Sequence, residues 1–204
     1  MAQIRGDCPL VNCPLQLAKN VQPVEIAQNF LLPETKRLLA EAYAAQSQSD
    51  FRVYQEFLQD AEECHRLHFL QMACEKIAKA YRLKDTPDFP EESLYSHVIF
   101  SKFVLNLLKS PQIKRLYKSQ NAALQQLERD AKRLSREIEK LAPAVDRERT
   151  PANVEYPWIQ GQSVFTPCAF SFASLSLLKD QNGREFLKLI TMAIKDFSNI
   201  TLSG

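Results

Sequence analysis

The sequence predicts a mainly α-helical fold: a helical bundle with a long heptad-patterned helical arm and a Pro-rich N-terminal extension. Three observations support this prediction. Apolar residues recur every three to four positions in several segments, as they do on the packed face of a helix. A heptad repeat of apolar residues continues through residues 112–141. The chain has 4 Gly against 11 Pro, and so few glycines disfavour hairpin-rich folds and Gly-rich phosphate loops.

The domain organisation follows from where proline interrupts the helical patterns. Residues 1–33 contain four prolines and the short repeat CPLVNCPL, and we interpret them as an N-terminal arm. Residues 34–204 then form one helical bundle domain. A polar linker at 143–157 is followed by short strands or loop segments at 158–178. Apolar periodicity predicts helices over residues 34–48, 51–83, 93–109, 112–141 and 183–197.

The strongest helical pattern lies in residues 51–83. Its apolar residues cover about half of the helix circumference, so we expect this helix to lie at the centre of the core. On the opposite side, Glu75 and Lys79 are spaced i,i+4 in the order that favours an ion pair. These two residues and Lys76 could line a binding groove if the bundle dimerises through this face. The alternative is an ordinary solvated helix face.

The heptad pattern of residues 112–141 indicates either a coiled-coil arm or an unusually long bundle helix. The segment has eight basic residues against four acidic ones, the largest local charge excess in the chain. This excess could contact phosphates. Alternatively, the mixed charges belong to the exposed face of a coiled coil that pairs two copies or binds a protein partner. The basic binding candidates are Arg129, Lys132, Arg133 and Arg136.

The composition disfavours several other classes of protein. A net charge of +2 does not indicate a nucleic-acid binder, although a local basic patch is compatible with it. No signal-peptide pattern and no apolar run long enough to cross a bilayer is present, so we expect a cytoplasmic protein without membrane contact. The five cysteines are scattered, as is typical of reduced thiols. Cys64 and His68 could share a metal, but no second tight pair accompanies them, and we predict neither metal nor cofactor.

The stretch FLQMACEKIAKAY, residues 69–81, resembles the second-helix signature of HEPN domains. In that signature an aromatic residue is followed by a small residue, then E-K, then K-A. The next segment, with His97 after Ser96 and before an apolar run, is similar to the third HEPN helix. The segment NVEYPW, residues 153–158, resembles the late Tyr-Pro turn of the family. The resemblance covers residues 34–197, interrupted by the heptad arm.

The resemblance implies a HEPN-like helical bundle that cleaves RNA without a metal, or that binds RNA or a nucleotide, often in a toxin–antitoxin or antiphage defence setting. Nuclease members of the family carry an Arg, then four to six residues, then a His. No Arg stands at that spacing before His65, His68 or His97. The catalytic pair is therefore absent in its linear form, and the resemblance supports the fold more than the chemistry.

Two further residues are candidates for contact with a ligand. His97 could act as a general base or stack on RNA, because imidazole titrates near neutral pH; the alternative is a structural role. Tyr156 could stack on a base, whereas beside Pro157 it could instead anchor a turn against the bundle.

Three functional hypotheses follow. The first is a non-catalytic HEPN-type module that forms a homodimer and binds RNA, a nucleotide or a protein partner. The second is a metal-independent ribonuclease with a rearranged active site that uses His97 and a distant Arg or Lys. The third is a coiled-coil scaffold protein without a ligand.

Overall fold

Helices dominate the structure, as the sequence predicts. The computed structural model describes residues 32–86 and 90–202, so the predicted arm over 1–33 lies almost entirely outside the described residues. The strands β1 (Trp158–Gln160) and β2 (Ser163–Phe165) form a two-stranded antiparallel hairpin. The helices are α1 (Pro33–Arg52), α2 (Glu63–Asp85), α3 (Phe100–Lys109), α4 (Pro111–Leu116), α5 (Asn121–Glu139) and α6 (Gln181–Lys195).

Helix α2 is the central element, as predicted: it packs along α1 and contacts α3, α5 and α6. Its apolar side is almost completely buried, and Leu70, Ala73, Cys74 and Ile77 have no exposed surface. Tyr81 fixes α2 to α6, because its hydroxyl donates a hydrogen bond to the carbonyl of Ala193 at 3.0 Å. The core therefore surrounds α2, and the polar side chains of α2 lie between the elements that pack against it.

The predicted helix over 51–83 is divided in the structure. Helix α1 runs to Arg52, a π-helical turn continues it over Val53–Phe57, and the chain turns before α2 begins at Glu63. Phe51 and Tyr54 are buried in the same core as α2. Apolar periodicity therefore continues across the turn, and periodicity alone does not place the break.

The prediction of one continuous helix over 112–141 is wrong. A turn at residues 117–120 separates α4 from α5. Leu127, Ala131, Leu134 and Ile138 of the heptad seam are buried within the same chain, where α5 packs on α3, α2 and α6. These side chains complete the core of one chain and are not available to a coiled coil between two copies.

The predicted helix over 93–109 also begins later than expected. A short 3-10 segment, Glu91–Tyr95, leads through a non-helical connection at 96–99 into α3 at Phe100. His97 consequently lies on this connection and not on a helix. From this connection, the side chain of His97 reaches a carboxylate of α2.

The segment 158–178, expected as short strands or loops, contains both. In the hairpin, Trp158 pairs with Phe165, and their rings stack with centroids 5.8 Å apart on the buried side. Two 3-10 segments follow at Pro167–Ala169 and Ala173–Lys179. Helix α6 then begins after Asp180, whose carboxylate accepts a hydrogen bond from the N–H of Gly183, as is typical of a helix N-cap.

Candidate functional site

A polar cluster lies where α2 meets the connection that precedes α3. We call it the Glu75 cluster, and it consists of Tyr43, Gln71, Glu75, Lys79 and His97. Oε1 of Glu75 accepts a hydrogen bond from Nζ of Lys79 at 2.6 Å. Oε2 accepts one from Nε2 of Gln71 at 2.9 Å and lies 3.0 Å from Nδ1 of His97. The i,i+4 spacing along α2 aligns three of these side chains on one stripe, and the connection adds the histidine.

The Glu75 cluster is largely withdrawn from water except at His97. The side chains of Glu75 and Lys79 are 12% and 7% exposed, whereas that of His97 is 42% exposed. The ring of Tyr43, on α1, covers Lys79 with its centroid 5.9 Å from Nζ. The alternative of an ordinary solvated face is therefore wrong for Glu75 and Lys79, because α1 and the connection cover this side of α2.

Electrostatics keep Glu75 ionised. Burial alone raises the pKa of Glu75, but hydrogen bonds from Lys79 and His97 outweigh burial and hold this pKa below its ordinary value. A carboxylate only accepts hydrogen bonds, so the network assigns the proton to Nδ1 of His97. The other ring nitrogen, Nε2, makes no hydrogen bond within the described part of the chain. An imidazole that a carboxylate orients in this way can accept or donate a proton at Nε2.

Lys76 does not join the Glu75 cluster. Its ammonium group forms a separate ion pair with Asp50 of α1, and both side chains are mostly buried. Gln46 donates a second hydrogen bond to the same carboxylate. Lys76 is therefore a link between α1 and α2 and is not free to line a groove.

The outer face of α5 is a second candidate site. Arg129, Lys132, Arg133 and Arg136 are all exposed and follow the spacing i, i+3, i+4 and i+7, so they share one face. We call these four residues the basic face. The side chain of Arg129 donates a hydrogen bond to Gln126. The other three form no ion pair with any residue in the ranges 32–86 and 90–202.

The acidic residues of α5 neutralise only part of the basic face. Asp130 and Glu139 are buried. Asp130 accepts a hydrogen bond from Gln126, and Glu139 accepts hydrogen bonds from the backbone and hydroxyl of Ser101. Glu137 pairs with Lys140. Glu128 is exposed, directly before Arg129 and four residues before Lys132, so it neutralises part of the basic face. The four exposed cations against this one exposed carboxylate leave the face with a net positive charge.

A shallow groove runs between the basic face and α3. Arg129, Lys132 and Glu128 of α5 line it together with Leu105, Leu108 and Lys109 of α3. Cations from both helices therefore give this groove positive charge, along which the backbone of a single nucleic-acid strand can lie.

Tyr156 lies apart from both sites. Its side chain is 58% exposed, so it does not anchor the turn. That role belongs to Asn153, which is completely buried and accepts hydrogen bonds from the N–H groups of Glu155 and Tyr156. Its amide group also donates to the carbonyls of Pro151 and Tyr156. Sequence reasoning missed Asn153, although an Asn in a Pro-flanked loop is a known turn signal.

Sequence reasoning also missed Tyr43 and Gln71. Gln71 stands four residues before Glu75, and this spacing could have revealed it. Tyr43 belongs to a different helix and is brought to Lys79 by tertiary packing, for which the sequence has no local signal.

Within residues 32–86 and 90–202, no group of three or more His, Cys, Asp or Glu side chains could hold a metal ion. In the same ranges no helix is long and apolar enough to span a membrane. Cys64, Cys74 and Cys168 are free thiols, and burial raises the pKa of Cys74 well above its ordinary value, which makes that thiol unreactive.

Comparisons with protein-family models, with curated proteins and with solved structures find no match for this chain. The HEPN resemblance therefore stays a prediction, as do the homodimer, the defence setting and the cytoplasmic location.

Proposed function

We propose that this protein is an RNA-binding helical module whose contact surface is the basic face of α5. The observation that supports this proposal is a row of four exposed cations on one face of α5, which outnumber the exposed carboxylate of Glu128 beside them. The row covers seven residue steps, or about 10 Å of helix.

The groove beside the basic face favours single-stranded RNA over a duplex. Lys109 of α3 and the cations Arg129 and Lys132 of α5 line this groove, together with Leu105 and Leu108. A single strand can place its backbone along the cations and its unpaired bases against Leu105 and Leu108, whereas a paired duplex cannot expose its bases in this way. The resemblance of residues 69–81 to the HEPN signature favours RNA over DNA as the partner.

The proposal is tested by fluorescence anisotropy with a labelled single-stranded RNA at increasing salt concentration. Four phosphate contacts predict that affinity falls about 50-fold between about 50 and 200 mM salt. The test variant replaces the four cations of the basic face by Gln, and we expect it to bind about tenfold more weakly or worse at low salt, with a salt slope reduced by about 3.

The control variant removes the same charge from exposed positions elsewhere, by Gln substitution of Lys114, Lys118, Arg149 and Lys195. Its affinity should stay within about twofold of that of the unchanged protein, since long-range charge effects are screened. Equal weakening of the two variants, or equal competition by single-stranded DNA, would contradict the proposal.

The Glu75 cluster favours a second candidate function, metal-independent RNA cleavage. With Nδ1 held by Glu75, Nε2 of His97 can take the proton of a ribose 2′-hydroxyl. The 2′ oxygen then bonds to the adjacent phosphorus while the bond from phosphorus to the 5′ oxygen breaks. The departing 5′ oxygen takes a proton from solvent, and the products are a cyclic phosphate and a 5′-hydroxyl end.

For this second function we expect RNA cleavage in the presence of EDTA that falls about 100-fold or more in His97→Gln. His65→Gln is the matched control, because His65 is an exposed histidine outside the Glu75 cluster. Circular dichroism confirms that both variants are folded. Cleavage that survives His97→Gln unchanged, or is absent in the unchanged protein, would exclude this mechanism.

A further inference from the structure

We infer that a cavity between α2 and α3 binds a small organic anion with an apolar body. The cavity, which we call the α2–α3 cavity, has a volume of about 340 Å³, within the range of ligand pockets. No residue of the Glu75 cluster or of the basic face is among those that line it. The inference is therefore independent of the proposed RNA contact.

The floor of the α2–α3 cavity is apolar. Ile99 and Phe103, one turn apart, are 3% and 4% exposed, and Ala78 of α2 is 1% exposed. At the mouth, Val98 is 61% exposed. A ligand with an apolar body would cover Val98 and contact the floor, and both changes remove apolar surface from water.

The rim of the cavity provides an unpaired cation and an unpaired amide. Lys102 and Asn106 lie one turn apart on α3 and therefore face the same side of the helix. Lys102 is exposed, Asn106 is half-buried, and neither side chain forms an ion pair or hydrogen bond with a described residue. The two groups are free to hold an anionic group and to hydrogen-bond to the ligand.

The carboxylate of Asp85 also lines the cavity, but other partners occupy it. One oxygen accepts a hydrogen bond from the N–H of Leu202 at 2.9 Å, and the other lies 4.0 Å from Nζ of Lys84. Asp85 therefore leaves the charge of Lys102 available. Arg82 also lines the cavity, so two cations and one carboxylate leave a net charge of about +1 in its wall. This balance favours a singly charged ligand, such as an aromatic carboxylate or sulfonate, over a polyphosphate.

The test uses two dyes of similar shape, the anion 1-anilinonaphthalene-8-sulfonate and its neutral analogue N-phenyl-1-naphthylamine. Titrations follow dye fluorescence and the NMR signals of the Val98 methyl groups. We expect the anion to bind more tightly than the neutral dye and to shift the Val98 signals. Lys102→Met should raise the dissociation constant of the anion about fivefold or more, as expected for loss of a charged contact. It should leave that of the neutral dye unchanged.

Lys114→Met is the matched control, because Lys114 is exposed on α4 and does not line the cavity. Asn106→Ala tests the cavity without a change of charge and should weaken the anion about threefold. Equal weakening by Lys102→Met and Lys114→Met, or Val98 signals that stay unmoved at saturation, would overturn the inference. Equal affinity for the two dyes would also overturn it. None of these outcomes depends on RNA binding.

Discussion

Glu75→Ala is expected to lower the free energy of unfolding at pH 7 by about 3 kcal/mol, the cost of breaking a buried ion pair. The substitution leaves the ammonium group of Lys79, 7% exposed, without a carboxylate. Gln71 and His97 lose their acceptor at the same time. Urea denaturation followed by circular dichroism measures this difference. Glu41→Ala, which breaks an exposed pair with Arg37, is the control and should change stability little.

The contribution of Glu75 to stability should decrease as the pH falls into the acid range. Its pKa in the folded protein lies below the ordinary value of 4.5. An acid whose pKa falls on folding stabilises the protein above its unfolded pKa, and this contribution is lost as pH falls through the folded pKa. The stability difference between the unchanged protein and Glu75→Gln should therefore be constant near neutral pH and shrink below pH 4.5. A difference that grows in acid would show that the carboxylate is not held ionised by Lys79 and His97.

The core face of α2 could be predicted from the sequence because apolar periodicity directly reflects burial. The turns at 58–62 and 117–120 could not. Neither the stretch 51–83 nor the stretch 112–141 contains a Pro or Gly, so the usual signals for a helix end are missing. In both places the apolar pattern continues through the turn, since residues on each side pack into the same core. Tertiary packing, and not local sequence, decides where these helices end.

The two candidate sites differ in how far the sequence determines them. On α5, the heptad seam fixes which face is buried and therefore which face presents Arg129 and its neighbours to solvent. In the Glu75 cluster, the pair of Glu75 and Lys79 follows from i,i+4 spacing and is confirmed. The contact of His97 with Glu75 joins residues 22 positions apart through a non-helical connection. Periodicity has no signal for such a contact, and only the fold provides it.

Gly183→Ala is expected to destabilise the protein by about 3 kcal/mol, at the upper end of what overpacking costs. Gly183 is the third residue of α6, where it packs against the preceding 3-10 segment. A Cβ atom there would lie 2.0 Å from the carbonyl oxygen of Leu177 and 2.4 Å from Cα of Leu178. Both are backbone atoms, so no side-chain rotation relieves the clash. The start of α6 must move, which also disturbs the hydrogen bond from the N–H of Gly183 to Asp180.

Helix propensity predicts the opposite sign, because Ala stabilises a helix interior by about 1 kcal/mol relative to Gly. The sign of the measured change in stability therefore shows whether helix propensity or close packing dominates at Gly183. Asn182→Ala is the matched control: it changes the adjacent position of the same helical turn to the same residue, and the side chain of Asn182 makes no hydrogen bond to a described residue. Thermal denaturation should show a lower midpoint for Gly183→Ala and an unchanged or slightly higher one for Asn182→Ala. A raised midpoint for Gly183→Ala would mean that α6 and the 3-10 segment lie farther apart than the structure places them. In that case the N-terminus of α6 would be set by propensity and by Asp180 alone.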